Sequence, residues 1–161
     1  MSAKEEIYTR HAVRGADRGK RLADMMKIDG KAEVLDDILV LDLSEANFAG
    51  IICASLLGEF GAEVVKIESP QGDPARQITP FGVTVDGVGI PFMFEGRNKR
   101  YMTLDIKNKP EDRQVFARLA KKAAVVIESF APGQMDEWGI GYRQLSALNP
   151  GLIYVALSAY G

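Results

Sequence analysis

The stretch "DILVLDLSEANFAGIICASLLGEFGAEVVKI", residues 37–67, decides the fold. "DILVLDL" (37–43) is a short apolar run suited to a strand buried on both faces. "EANFAGIICASLLGEF" (45–60) spaces Phe48, Ile52, Leu56 and Phe60 four apart, which predicts one helical stripe, with Ser44 as its N-cap. Gly61 stops the helix, and "AEVVKI" (62–67) is a second strand. Strand, helix and strand within about 30 residues is the size of a parallel crossover unit.

The pattern continues outward. "RYMTLDI" (100–106) and "AVVIESF" (124–130) read as strands, and "GLIYVALSAYG" (151–161) as a last one. Residues 108–123 predict a helix: Asn108 and Glu111 fit a capping box, Pro110 lies in the first turn, and Lys121 and Lys122 lie in the last. A short helix over 141–150 ends at Pro150. Residues 69–91, rich in Gly and Pro, read as a long functional loop. The fold class is α/β, with parallel strands and helices between them. Residues 1–36 are highly charged and read as an exposed helical extension, in which Arg14, Arg18, Lys20 and Arg21 belong to a solvated face.

The 161 residues suit one domain with a real core, and an apolar fraction of 47% is ordinary for a globular chain. The net charge of −2 and a pI near 5.5 do not indicate a nucleic-acid partner. No apolar run is long enough to cross a bilayer, and the first residues lack the apolar core of a secretory signal, so the expected location is cytoplasmic. Cys53 is alone and reads as a small buried side chain. One Cys and one His, His11, support no metal site.

Glu68 ends the second strand, where dinucleotide-binding domains place a ribose-binding acid. The turn "DLSEANFAG" lacks the glycine spacing that lets a backbone approach a pyrophosphate, so a dinucleotide domain is the weaker alternative. The cluster Arg97, Lys99 and Arg100 before the third strand reads equally as a phosphate-binding edge and as a solvated turn.

Five segments then occur in a telling order: "VLDLSEANFAG", "LLGEFGAEVVKIESPQGDPAR", "RNKRYMTLDIK", "VVIESFAPGQMDEWGIGY" and "LNPGLIYVALSAYG". Together they resemble the N-terminal part of the family III CoA-transferases, the CaiB/BaiF group, over residues 37–161. That group includes formyl-CoA transferase, benzylsuccinate CoA-transferase and the α-methylacyl-CoA racemases. The resemblance implies a Rossmann-like large domain that takes CoA or acyl-CoA as substrate, with no tightly bound cofactor. It implies CoA transfer to a carboxylic acid through an aspartyl-CoA thioester. It also implies an interlocked homodimer; a companion chain supplying the remaining parts is the other arrangement expected.

By the resemblance, the turn after the first strand contacts CoA through Phe48 and Ala49, although one extra residue between Asp42 and Gly50 shifts the register. Leu104, Asp105, Ile106 and Lys107 match a segment lining the nucleotide site, with Lys107 as phosphate partner. Ser129, Phe130 and Ala131 match a further contact, where Ser129 replaces the usual Asn. Ser69 and Glu137 stand where cations are common, and Arg76, Lys99 or Arg100 are the candidates to compensate. The catalytic aspartate, the racemase bases and the small domain are expected beyond Gly161. The chain is thus expected to be a fragment or a split-protein piece, a binding module without turnover of its own, and prone to aggregate through uncovered apolar surface.

Overall fold

The computed structural model describes residues 33–159. The charged extension expected over 1–36 lies outside them up to residue 32, His11 included; residues 34–37 form a turn.

Five parallel strands make the main sheet: β1 (Leu39–Leu43), β2 (Glu63–Glu68), β5 (Lys99–Thr103), β6 (Val125–Glu128) and β7 (Ile153–Ala156). Their spatial order is β5-β2-β1-β6-β7, the order of a Rossmann-like sheet, which reverses direction between β1 and β6. A two-stranded antiparallel hairpin, β3 (Thr84–Val85) with β4 (Val88–Gly89), stands apart. The helices are α1 (Phe48–Glu59), α2 (Ile90–Glu95), α3 (Pro110–Ala120), α4 (Gln134–Glu137) and α5 (Tyr142–Leu148).

Alternation along β1 feeds two cores. Leu41 and Leu43 join Ile67, Val126, Phe116 of α3 and Leu145 of α5 on one face. Val40 joins Val64, Ile127 and Ala54 of α1 on the other. Both faces of the sheet are covered, which is why its strands read as continuous apolar runs.

Several expectations change in detail. The helix in residues 45–60 begins at Phe48, and its N-cap is Asn47, whose side chain accepts from the Gly50 N–H; Ser44 is instead buried at the end of β1. The stripe of Ile52, Leu56 and Phe60 faces outward, each at least 41% exposed. The face of α1 on the sheet is Gly50, Ile51, Ala54, Ser55 and Gly58. This helix is apolar all round, so periodicity cannot choose a face; small residues decide it, because they let the backbone approach the sheet. A Cβ on Gly58 would already sit 3.4 Å from Val64 Cγ2.

The capping box at Asn108 and Glu111 does not form. Helix α3 starts at Pro110 after Lys109, and Asn108 donates to the Asp105 carboxylate instead. The helix ends at Ala120, so Lys121 is its cap and Lys122 lies beyond it. Residues 69–91 hold more structure than a plain loop: two short 3-10 turns, Pro74–Gln77 and Pro80–Gly82, and the hairpin. Cys53 is half-buried against the α1-side core.

Candidate functional site

The sheet reverses direction between β1 and β6, so their following loops diverge and leave a crevice beyond the carboxyl ends. A narrow cleft lies there. Leu43, Ser44 and Glu45 come from the end of β1, Glu68 and Ser69 from the end of β2, Ile106 and Lys107 from the segment after β5, and Phe130 from the segment after β6. Phe130 is also a wall of a wider neighbouring hollow, lined by Glu128, Asp136, Tyr142 and Tyr154 among others. Trp138 meets the Phe130 ring edge-on, with centroids 5.1 Å apart, and fixes its orientation.

Beneath the cleft lies a network of buried charge. Asp42 and Lys66 are opposite each other in the β1–β2 register and both are fully buried. The Lys66 ammonium is 2.9 Å from Asp73 Oδ2, an ion pair set off the angle of a hydrogen bond, and it donates to the Ser44 carbonyl. Lys99 Nζ donates to Asp42 Oδ2 at 3.1 Å and to the Ile51 carbonyl at 2.7 Å. Burial pulls the Lys99 ammonium below its ordinary value, against the pull of Asp42. The other oxygen of Asp73 accepts from the N–H groups of Ala46 and Ala75, at 2.9 and 2.8 Å. Asp73 thereby ties the β1–α1 turn to the loop after β2. Ala46 has a positive φ of 52°, a conformation that costs a non-glycine residue energy, and this tie holds it there.

Of the candidate contacts, Leu104, Ile106, Lys107 and Phe130 converge on the cleft. Ser129 stands at its rim: its hydroxyl accepts from the Glu45 N–H at 2.9 Å and donates to the Glu45 carbonyl at 3.1 Å. Asp105 is turned away, with its carboxylate taken by Asn108 and its N–H given to Asp112. Ala131 is exposed at the start of the following turn. Phe48 packs beside Ile51, Ala75 and Phe92, and Ala49 is exposed on α1; neither lines the cleft. Ser44 and Glu45 of that turn line the cleft instead.

Of the basic cluster at the start of β5, Lys99 is committed internally and is withdrawn from any phosphate edge, whereas Arg97 and Arg100 sit in exposed surface pairs. Arg97 pairs with Glu59, Arg100 with Glu63, and the Lys99 side chain is only 1% exposed. Glu137 is exposed and accepts from Gln134. The buried group Asp42, Lys66 and Asp73 escaped the sequence reading. Its signal was present: a lone charge inside an otherwise apolar, doubly covered strand needs a partner.

The matching family model is CoA-transferase family III, over residues 35–161. The chain belongs to CoA-transferase family III. Succinyl-CoA–D-citramalate CoA-transferase of Chloroflexus aurantiacus is 41% identical over 128 residues, covering 79% of this chain and 31% of that protein. Succinyl-CoA–L-malate CoA-transferase alpha subunit, also from Chloroflexus aurantiacus, is 43% identical over 129 residues, covering 79% of this chain and 29% of that protein. The crystal structure of Rv3272 from Mycobacterium tuberculosis superposes with a TM-score of 0.69 at 40% identity, covering 81% of this chain and 35% of that one. This family III chain thus spans about a third of the length of the relatives it matches. Among the described residues no helix is long and apolar enough to cross a membrane, and no cluster of His, Cys, Asp and Glu is arranged to hold a metal ion.

Proposed function

We propose that this chain is the CoA-binding portion of a family III CoA-transferase, a protein that moves CoA from an acyl-CoA to a carboxylic acid. The observation that carries the reading is convergence: the β1–α1 turn, Leu104–Lys107 and Ser129–Phe130, far apart in sequence, meet at one crevice at the sheet's reversal point. Such a crevice is where open α/β sheets bind ligands. Lys107 offers an exposed ammonium to a phosphate, and Phe130 an apolar face to the rest of the molecule. CoA is a substrate in this reading, not a resident cofactor.

A dinucleotide in this cleft is disfavoured by Glu68. Its carboxylate is mostly buried and already accepts three hydrogen bonds, two from Arg76 and one from the Asp73 N–H, so it is engaged in holding the loop rather than presented to a ribose. The nucleophilic aspartate of the reaction belongs, in this reading, to the part of the family fold that follows β7. That part comes from the same chain in a homodimer or from a companion chain. Calorimetry with CoA and with NAD tests the ligand: heat with CoA and none with NAD is expected, and the reverse overturns the reading. A panel of acyl-CoAs and acids tests turnover, and none is expected from residues 1–161 alone.

A further inference from the structure

We propose that Glu45 is a built-in competitor for the anionic ligand, a carboxylate latch that closes on Lys107 across the mouth of the cleft. The proposal deepens the CoA reading and rests on it for the identity of the ligand. Lys107 Nζ donates to Glu45 Oε2 at 2.6 Å. The two residues stand on opposite walls, 62 positions apart in sequence.

Both walls are anchored, so the pair is set by the fold rather than by chance meeting of two loose side chains. Ser129 clamps the backbone of Glu45 from both sides, and Asp73 holds the next N–H, that of Ala46. On the other wall, Arg113 donates to the Ile106 and Lys107 carbonyls at 2.6 and 2.7 Å.

The charges lining the cleft explain why this matters. Glu45, Glu68 and Asp73 are its carboxylates, and Lys107 is its one cation among the described residues. Arg76 answers Glu68 and Lys66 answers Asp73 from behind the surface. An arriving phosphate therefore meets Lys107, and Lys107 already holds a carboxylate. The pair is half-exposed, with side chains 41% and 25% accessible, which makes it weak enough to exchange. A phosphate carrying more charge than Glu45 displaces it, and the released carboxylate then repels the ligand it made room for. A neutral or singly charged ligand gains too little to open the latch. Glu45 in this way raises the threshold for entry and favours polyanions.

The test is calorimetry on the full chain and its E45Q, K107Q and E45Q/K107Q variants, with CoA and with inorganic pyrophosphate. E45Q keeps the backbone clamp on Ser129, so its fold and melting temperature are expected to hold. We expect E45Q to bind both probes about threefold to tenfold more tightly, K107Q to weaken both, and E45Q to give a smaller gain in the K107Q background than in the wild type, because only the repulsion and not the latch remains to be removed. CoA binding that E45Q leaves unchanged or weakens overturns the latch and leaves the CoA reading standing. Tighter pyrophosphate binding by E45Q with no CoA binding by any variant supports the latch and overturns the CoA reading. Absence of binding by every variant to both probes overturns both.

Discussion

Arg76 holds Glu68 by two hydrogen bonds, Nε to Oε2 and Nη2 to Oε1, both at 2.7 Å. The guanidinium also lies 4.5 Å from the centroid of the Phe92 ring and 5.3 Å from that of Tyr101. The carboxylate raises the Arg76 pKa further above its ordinary value, so the guanidinium stays charged throughout the accessible range. Arg76 is thus no ready replacement for the cation missing at Ser69, since its planar fork is already matched. R76A is expected to lower unfolding stability by about 2 kcal/mol, because it strands a carboxylate that is mostly buried. R76K is expected to recover only part of it, since an ammonium cannot make both bonds. Urea unfolding of the three proteins checks this, and a wild-type midpoint for R76A refutes it.

Lys66 is the buried hinge of the charge network. K66M removes the cation between Asp73 and Asp42 and keeps the volume, leaving Asp73 buried with no cation beside it and Asp42 with Lys99 alone. A loss of about 3–5 kcal/mol is expected, enough to bring a domain of ordinary stability near unfolding. Adding D73N to K66M should return part of that loss, because the two sites are in contact. Circular dichroism with urea melts reads both numbers; equal stability of K66M and wild type contradicts the assignment.

Glu128 gives the fold a pH dependence. Burial raises its pKa, opposed by hydrogen bonds from the Phe130 N–H and the Tyr154 hydroxyl. Folded Glu128 then keeps a proton that the unfolded chain has released. Its contribution is complete below the ordinary glutamate value of about 4.3 and is lost as pH rises through the folded value. E128Q cannot titrate, so its stability should fall less than that of the wild type across this window. Urea midpoints at a series of pH values above 4 measure the difference; parallel curves for the two proteins argue against it.

Gly50 sits where the backbone of α1 crosses the end of β1. A Cβ there would lie 2.4 Å from Ser44 Cβ and 3.2 Å from Leu157 Cδ1. G50A must push the helix from the sheet, at a cost of about 1–3 kcal/mol, despite alanine's better helix propensity. The displaced turn carries Glu45, so phosphate binding should change with stability. Thermal melts settle the first point, and a stabilised G50A would show that the contact relaxes freely.

The central strands β1 and β6 were legible because each is a compact apolar run buried on both faces. The helix over Pro110–Ala120 was legible from Pro110 in its first turn and the lysines at its end, although the box at Asn108 and Glu111 does not form. The outward face of α1 was not, since apolar residues surround that helix and the decision fell to the small residues Gly50, Ala54 and Gly58. In the cleft, Leu104, Ile106, Lys107 and Phe130 could be named from sequence. Ser44 and Glu45 could not, because their place at the crevice is set by contacts from Ser129 and Asp73, remote in sequence.

Local chemistry along the chain was enough for the class of fold, the order of its elements and the family to which they belong. Those depend on periodicity and on motifs that each lie within a few residues. Which charges are free depended on the tertiary structure alone. Arg76 meets Glu68 eight residues away, Lys66 meets Asp73 across a loop, and Lys107 meets Glu45 from 62 positions off. A charge acts through the charges beside it in space, and folding brings these together over distances that a linear reading does not span.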